Sequence, residues 1–168
     1  MIDIMTGTDR IVIRAHINAP RDHVWHVLTE QEQIAEWWGA YVSLEARPGG
    51  RLTERWTDAG GREVITSGEV VWVIAPRILE LTRADDDWDE STRVLFRLEE
   101  AADATRLTLK HSGWEAFPSS VREELIRAHA SGWSQHIVNL AAYSARTPVR
   151  QRRPRRPRML QQVLFVCT

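Results

Sequence analysis

Between Tyr41 and His111 the chain is a succession of short β-like runs separated by compact turns. No other stretch constrains the fold as strongly. The turns are explicit: "ARPGGRL", "DAGGRE", the Pro76 that interrupts "EVVWVIAPR", the acidic "ADDDWDES", and "EEAADAT". Proline presets one turn dihedral and glycine admits positive φ, so these strings reverse the chain. About six strands fit between them. Links this short can only join antiparallel neighbours, because a parallel pair needs a long crossover. The expectation is an antiparallel meander.

The flanking segments complete the pattern. In "RIVIRAHI", Ile11, Ile13, Ala15 and Ile17 share one face of a strand, while Val12, Arg14 and His16 share the other. "NAP" ends that strand, with Pro20 suited to the first position of a helix. Val24, Trp25, Val27 and Leu28 then recur at helical spacing. Thr29 followed by Glu32 reads as a capping box for a second short helix, stopped by Gly39 after Trp37 and Trp38. After the meander, Ser120 and Glu123 read as another capping box. Val121, Leu125, His129, Trp133, Ile137, Leu140 and Ala141 follow as one apolar stripe running to about Ala145. One strand, two short helices, a meander and a long helix make an α+β domain, with helices on one face of an antiparallel sheet.

The domain is expected over residues 9–146. Residues 147–168 read as an Arg/Pro-rich, disordered tail, since "TPVRQRRPRRPR" cannot form a core. The tail holds 6 of the 22 basic residues, so the remainder carries 16 basic against 23 acidic groups. A domain this acidic is poorly suited to coating nucleic acid, and no nucleic-acid partner is expected for it. The longest apolar run, Val70 to Ala75, is far too short to insert in a membrane. "MIDIMTGTDR" lacks a basic region followed by an apolar run, so no secretory signal is expected. One cysteine, Cys167, permits no intrachain disulfide, which fits a cytoplasmic protein.

"INAPRDHVWHVLTEQEQIAEWW", "RPGGRL", "GEVVWVIAPRILELT", "STRVLFRLE", "TRLTLKHSGW" and a final helix with "SGW" occur in this order. The run, from about Asp9 to Ala145, resembles a bacterial family similar to the C-terminal domain of the activator of the heat-shock-protein-90 ATPase. That family lies within the START-like, or SRPBCC, superfamily. The resemblance implies a helix-grip, Bet v-like fold: a curved antiparallel sheet wrapped around a long C-terminal helix. It also implies a cavity between sheet and helix that takes a small apolar or amphipathic molecule. Two alternatives stay open: a cyclase/aromatase- or hydrolase-type enzyme using the same cavity, and a protein that modulates a chaperone. A homodimer is also left open. No cofactor and no metal are expected.

In "HSGW", His111 sits beside Ser112, which raises the possibility of a base and a nucleophile. Strand alternation opposes it. Thr105, Leu107, Leu109 and His111 face one side, and Ser112 faces the other, so the two cannot readily share a proton. No orienting acid is identifiable, and no catalytic residue is assigned. His111 is instead read as a structural or pocket-lining histidine, with ligand contact or acid–base work as the alternative. In "RLTERW", Leu52, Glu54 and Trp56 share a face. If that face is inward, Glu54 is a carboxylate in an apolar setting whose pKa should rise. In the reverse register it is solvated. Gly132, beside Trp133, leaves room for a close approach. Apolar rings with a few polar groups line most small-molecule pockets. The candidate ligand-binding residues are therefore Trp38, Glu54, Trp56, Trp72, His111, Trp114 and Trp133. His23, His26 and Glu30 have metal-like spacing on one helix but no further ligands, so they read as a solvated face. "DDDWDE" reads as a solvated hairpin tip.

Overall fold

A computed structural model describes residues 1–147. From residue 148 onward, the expected tail lies outside the described residues. The elements run β1 (Ile2–Thr6), β2 (Arg10–Ile17), α1 (Arg21–Thr29), α2 (Gln31–Trp37), β3 (Val42–Leu44), β4 (Arg51–Thr57), β5 (Glu63–Ile74), β6 (Ile78–Asp85), β7 (Thr92–Ala101), β8 (Ala104–Ser112) and α3 (Ser119–Arg146).

The described strands form one curved antiparallel sheet in the order β1-β2-β8-β7-β6-β5-β4-β3. β3 to β8 are the expected meander, each pairing with its neighbour in the chain. β2 closes against β8, with Ile11 opposite His111 and Ile17 opposite Thr105. The sheet begins earlier than expected: Ile2–Thr6 pairs with Ile11–Ala15 as an edge strand. Its "IDIMT" exposes four of five residues, so alternation there carries no burial signal.

α3 lies across the concave face. Ile126, Ala130, Trp133, Ile137, Leu140 and Ser144 form its buried seam. The expected stripe is therefore rotated at its start: Val121 is 45% exposed, and Leu125 is only partly buried. The seam meets Ile11, Ile13, Val94, Phe96, Leu107 and Leu109, all completely buried, in one core. Each such side chain contributes about 1.5–3 kcal/mol by leaving water. This arrangement of a curved sheet gripping a long helix is the helix-grip fold.

Local details differ from the sequence expectations where caps were invoked. Thr29 does not cap α2; its hydroxyl donates to the Trp25 carbonyl at 2.8 Å, closing the last turn of α1. Pro20 and Pro118 occupy the cap positions themselves, so α3 starts at Ser119 with no side-chain cap. The residues still end and begin helices where expected, because proline and the local turns stop the preceding strand. Gly39, with φ 148°, turns the chain out of α2, and the Trp38 N–H bonds the Ile34 carbonyl at 2.9 Å. Among the described residues, no helix is long and apolar enough to cross a membrane.

One irregularity matters for the site. The β5–β6 register shifts between Val70 and Trp72, leaving Val71 as the extra residue of a β-bulge. A bulge resets the alternation. Val70 faces the core, whereas Trp72 pairs opposite Glu80 on the outer face, 48% exposed.

Candidate functional site

A half-open cavity of about 360 Å³ separates α3 from one end of the sheet. Trp38 at the end of α2, and Gly39, Tyr41 and Val42 beyond it, supply one wall. Glu54, Arg55 and Trp56 come from β4, and Arg83 from β6. Ala128, His129, Gly132, Trp133 and His136 come from α3. Gly132 is part of the reason the space exists: a Cβ built there meets nothing within 4 Å. The rings of Trp38 and Trp133 stand 5.3 Å apart at 58°. Phe96 packs edge-on behind Trp133 at 5.7 Å.

The floor is polar. Glu54 faces inward, settling its register, and is 7% exposed. Its Oε1 accepts the Trp38 indole N–H at 3.2 Å, and its Oε2 pairs with Arg83 Nη2 at 3.1 Å. Arg83 Nη2 also reaches the Thr66 hydroxyl at 3.4 Å. That hydroxyl accepts the Trp56 indole N–H at 2.9 Å and donates to Asp85 Oδ1 at 2.5 Å. The Arg83 guanidinium lies 5.7 Å from the centre of the Trp133 ring. Among the described residues, Nε of Arg83 and Nδ1 of His136 are buried without a hydrogen-bond partner. These two groups are desolvated without compensation, which is costly unless something else bonds them.

Burial and the Arg83 charge govern titration here. Burial first, then Arg83, lowers His129 to about 4. His136 is also lowered, chiefly by burial, against a raising influence from Glu54. Burial raises Asp85 from its ordinary carboxylate value, opposed by the Thr66 hydrogen bond and by Arg83. The closest approach of Asp85 to His129 is 3.9 Å, too long for a hydrogen bond, and a neutral His129 makes no ion pair with it at pH 7.

Behind the cavity wall sits His111, completely buried. The Trp133 indole N–H reaches its Nδ1 at 2.9 Å. An indole nitrogen can only donate, so Nδ1 holds the lone pair. Nε2 lies 2.7 Å from the Thr92 hydroxyl, whose own hydrogen goes to the Arg83 carbonyl at 2.9 Å. Nε2 therefore carries the proton, and both constraints select the same neutral tautomer. Burial, aided by Arg83 and His129, holds His111 well below 6.5 in agreement. With both nitrogens engaged, His111 is an orienting strut for Trp133. Gly113, with φ 97°, then swings the chain so that Trp114 folds back over His111, ring centres 4.4 Å apart.

The seven candidate residues thus divide by position. Trp38, Glu54, Trp56 and Trp133 line the cavity. His111 and Trp114 are sealed behind it with no exposed surface, which corrects their reading as pocket-lining residues. Trp72 is on the opposite side of the sheet, turned out by the bulge. Arg83, His129 and His136 were missed. Arg83 shares the parity of Leu79 and Leu81 in "ILELTRAD", so carrying alternation one step further marks it as inward. His129, Trp133 and His136 are spaced four and three apart, which places them on one helical face. The acidic turn is also more than a solvated tip. Asp85 is buried, and the Trp88 ring centre packs 4.8 Å from Phe117 and 5.4 Å from His129. His23 is likewise buried, its Nε2 3.1 Å from the Ser144 carbonyl, tying α1 to the end of α3. Among the described residues, no group of three or more His, Cys, Asp or Glu side chains is placed to hold a metal ion.

Comparison with known proteins gives the fold and the family. Protein Ms6760 from Mycobacterium smegmatis aligns with a TM-score of 0.71 and 21% identity over 88% of this chain and 99% of its own. A Rhodobacter sphaeroides protein aligns at TM-score 0.67, 21% identity, 84% of this chain and 95% of its own. CalU16 from Micromonospora echinospora aligns at 0.65, 22% identity, 87% and 86%. At these identities the likeness concerns the fold. A search of curated proteins gives no significant match. The family model described as "Activator of Hsp90 ATPase homolog 1-like protein" matches residues 18–145, most of the described domain. The chain belongs to that family.

Proposed function

We propose that the protein binds a small apolar or amphipathic molecule in the cavity between its sheet and α3, working in the cytoplasm. The observation that carries this reading is the pairing of an aromatic wall with a desolvated polar floor. Trp38, Trp56 and Trp133 offer ring surface, while Arg83 and His136 hold polar groups that no atom of the described residues satisfies. A volume of about 360 Å³ is at the lower end of the about 300–1,000 Å³ usual for small-molecule sites. Binding would draw on apolar burial at about 25 cal/mol per Å², less the cost of immobilising the ligand. His111 would contribute indirectly, by fixing the Trp133 ring.

The test is native mass spectrometry of protein isolated from its own host, alongside the Gly132→Phe variant. The expected result is a co-purifying organic mass on the wild type, released by denaturation and missing from the variant. An adduct unaffected by Gly132→Phe would refute the assignment to this cavity. The enzymatic reading has less support, because His111 is neutral with both ring nitrogens bonded. The family match favours one further reading, modulation of a chaperone. Stimulation of a heat-shock-protein-90 ATPase by a Gly132→Phe variant with a filled cavity would favour that reading over ligand binding.

A further inference from the structure

The floor of the cavity contains a full positive and a full negative charge, and their arrangement bears on what kind of molecule the cavity takes. Arg83 and Glu54 are side by side, with side-chain exposures of 8% and 9%. Glu54 engages Nη2 alone, which leaves the rest of the Arg83 guanidinium without a protein partner: Nε is buried and unbonded, and Nη1 makes no hydrogen bond among the described residues. The donor capacity is open, but the charge is already balanced.

We infer that Glu54 is a specificity-determining residue: by neutralising Arg83 it makes the cavity select uncharged ligands that present an oxygen acceptor, and reject carboxylates of the same shape. This rests on the cavity being a ligand site. A neutral carbonyl can accept from Nη1 of Arg83 without disturbing the ion pair. A carboxylate would add a second negative charge beside Glu54, where both charges of the ion pair are already buried, and like charges so placed strongly disfavour association. The other groups at the floor offer no compensating charge: burial lowers the pKa of His136, which disfavours its cationic form. Asp85 is a second carboxyl near Arg83, so it adds to the local acidity rather than offsetting a ligand's charge, and burial raises its pKa. His129 is neutral at pH 7. Arg55, at the exposed rim, is paired with Glu63 at 3.2 Å.

The test uses three probes on one aromatic skeleton: naphthalene, 2-acetonaphthone and 2-naphthoate. Titrations would follow the indole N–H resonances of Trp38 and Trp133, which report both affinity and location. For the wild type, the ketone should bind most tightly, and the carboxylate about tenfold or more weaker than the ketone. Glu54→Gln keeps an acceptor for the Trp38 indole but leaves Arg83 facing only Asp85, whose ionised form burial disfavours, so the order should invert and 2-naphthoate should become the tightest probe. Should that variant fold poorly, Glu54→Gln/Arg83→Met removes both charges and the donor together: the ketone should lose its advantage over naphthalene, and the gap between ketone and 2-naphthoate should narrow without closing, because the carboxylate still pays to leave water. A wild type that prefers 2-naphthoate, a single variant that keeps the wild-type order, or a double variant that keeps the full wild-type gap between ketone and carboxylate would overturn the inference. Naphthalene separates the two levels of the reasoning. If it binds and the head groups make no difference, Glu54 does not set specificity while the cavity still takes ligands. If none of the three shifts the tryptophan resonances, the ligand site and the inference fall together.

Discussion

Acid should unfold this protein through its histidines. His111 is completely buried and locked neutral between Trp133 and Thr92, and its pKa is well below 6.5. His129 is lowered to about 4. In the unfolded chain both titrate near 6.5. Above that pH they are neutral in both states and contribute no pH dependence. As pH falls below 6.5, the unfolded chain takes up protons that the folded protein refuses, so stability is lost. Each histidine contributes a slope of about 1.4 kcal/mol per pH unit once its unfolded form is protonated. For His129 the loss levels off near its folded value, giving about 3 kcal/mol in total between 6.5 and about 4. His111, also lowered by burial, steepens the loss over the same acid range. His23 and His136 are also lowered and add to it. Asp85 acts in the opposite sense. Its folded pKa is raised, so between that value and 3.8 the folded protein takes up the proton first, and falling pH returns some stability. The assay is urea unfolding at a series of pH values from about 7.5 to 5, with His129→Gln measured in parallel. The variant should lose one histidine's share of the slope, about 1.4 kcal/mol per unit. Stability that stays flat down to about pH 5, or a slope unchanged by His129→Gln, would refute the claim that these rings stay neutral inside the fold.

Further outcomes can be checked with the same purified protein. Gly132→Ala should stabilise the fold by about 0.5–1 kcal/mol in urea titrations, because an alanine methyl group meets nothing within 4 Å and alanine is the better helix former. Ile137→Ala, at a fully buried position on the α3 seam, should cost about 2–5 kcal/mol in the same measurement. Gly113→Ala should lower the melting temperature, since φ is +97° and the new Cβ would sit 3.2 Å from Thr92 Cα; an unchanged melting temperature would show that the turn is relaxed. Trp72→Ser should leave binding of aromatic probes unaltered, because its side chain is outside the sheet; weakened binding by calorimetry would contradict the bulge.

Much of the fold was legible because its signals are local. In β2 and β8, strict period-two alternation is followed by complete burial of Ile11, Ile13, Leu107, Leu109 and His111. The turns at Pro48-Gly49 and Gly60-Gly61 join strands as their residue types require. The α3 stripe placed Trp133, Ile137 and Leu140 correctly on the core face. The alternation that placed His111 inward also ruled out its pairing with Ser112. The helix starts were less legible, because proline at the cap position removed the need for a side-chain cap.

The sequence by itself therefore determined the element types, the antiparallel meander and the inward face of most strands, since periodicity is a property of neighbouring residues. Tertiary structure decided what each inward side chain meets. Glu54 and Arg83 are 29 residues apart, and only the pairing of β4 with β5 and β5 with β6 brings their charges together. His111 faces inward as its strand predicts, but Trp133 and Thr92 claim both its nitrogens before any ligand could. Trp72 has the right parity for the core and loses it to one extra residue at Val71. Alternation says which way a side chain points from its own strand. The partner opposite, and the phase after a bulge, are set by contacts between segments distant in the chain, where local pattern carries no information.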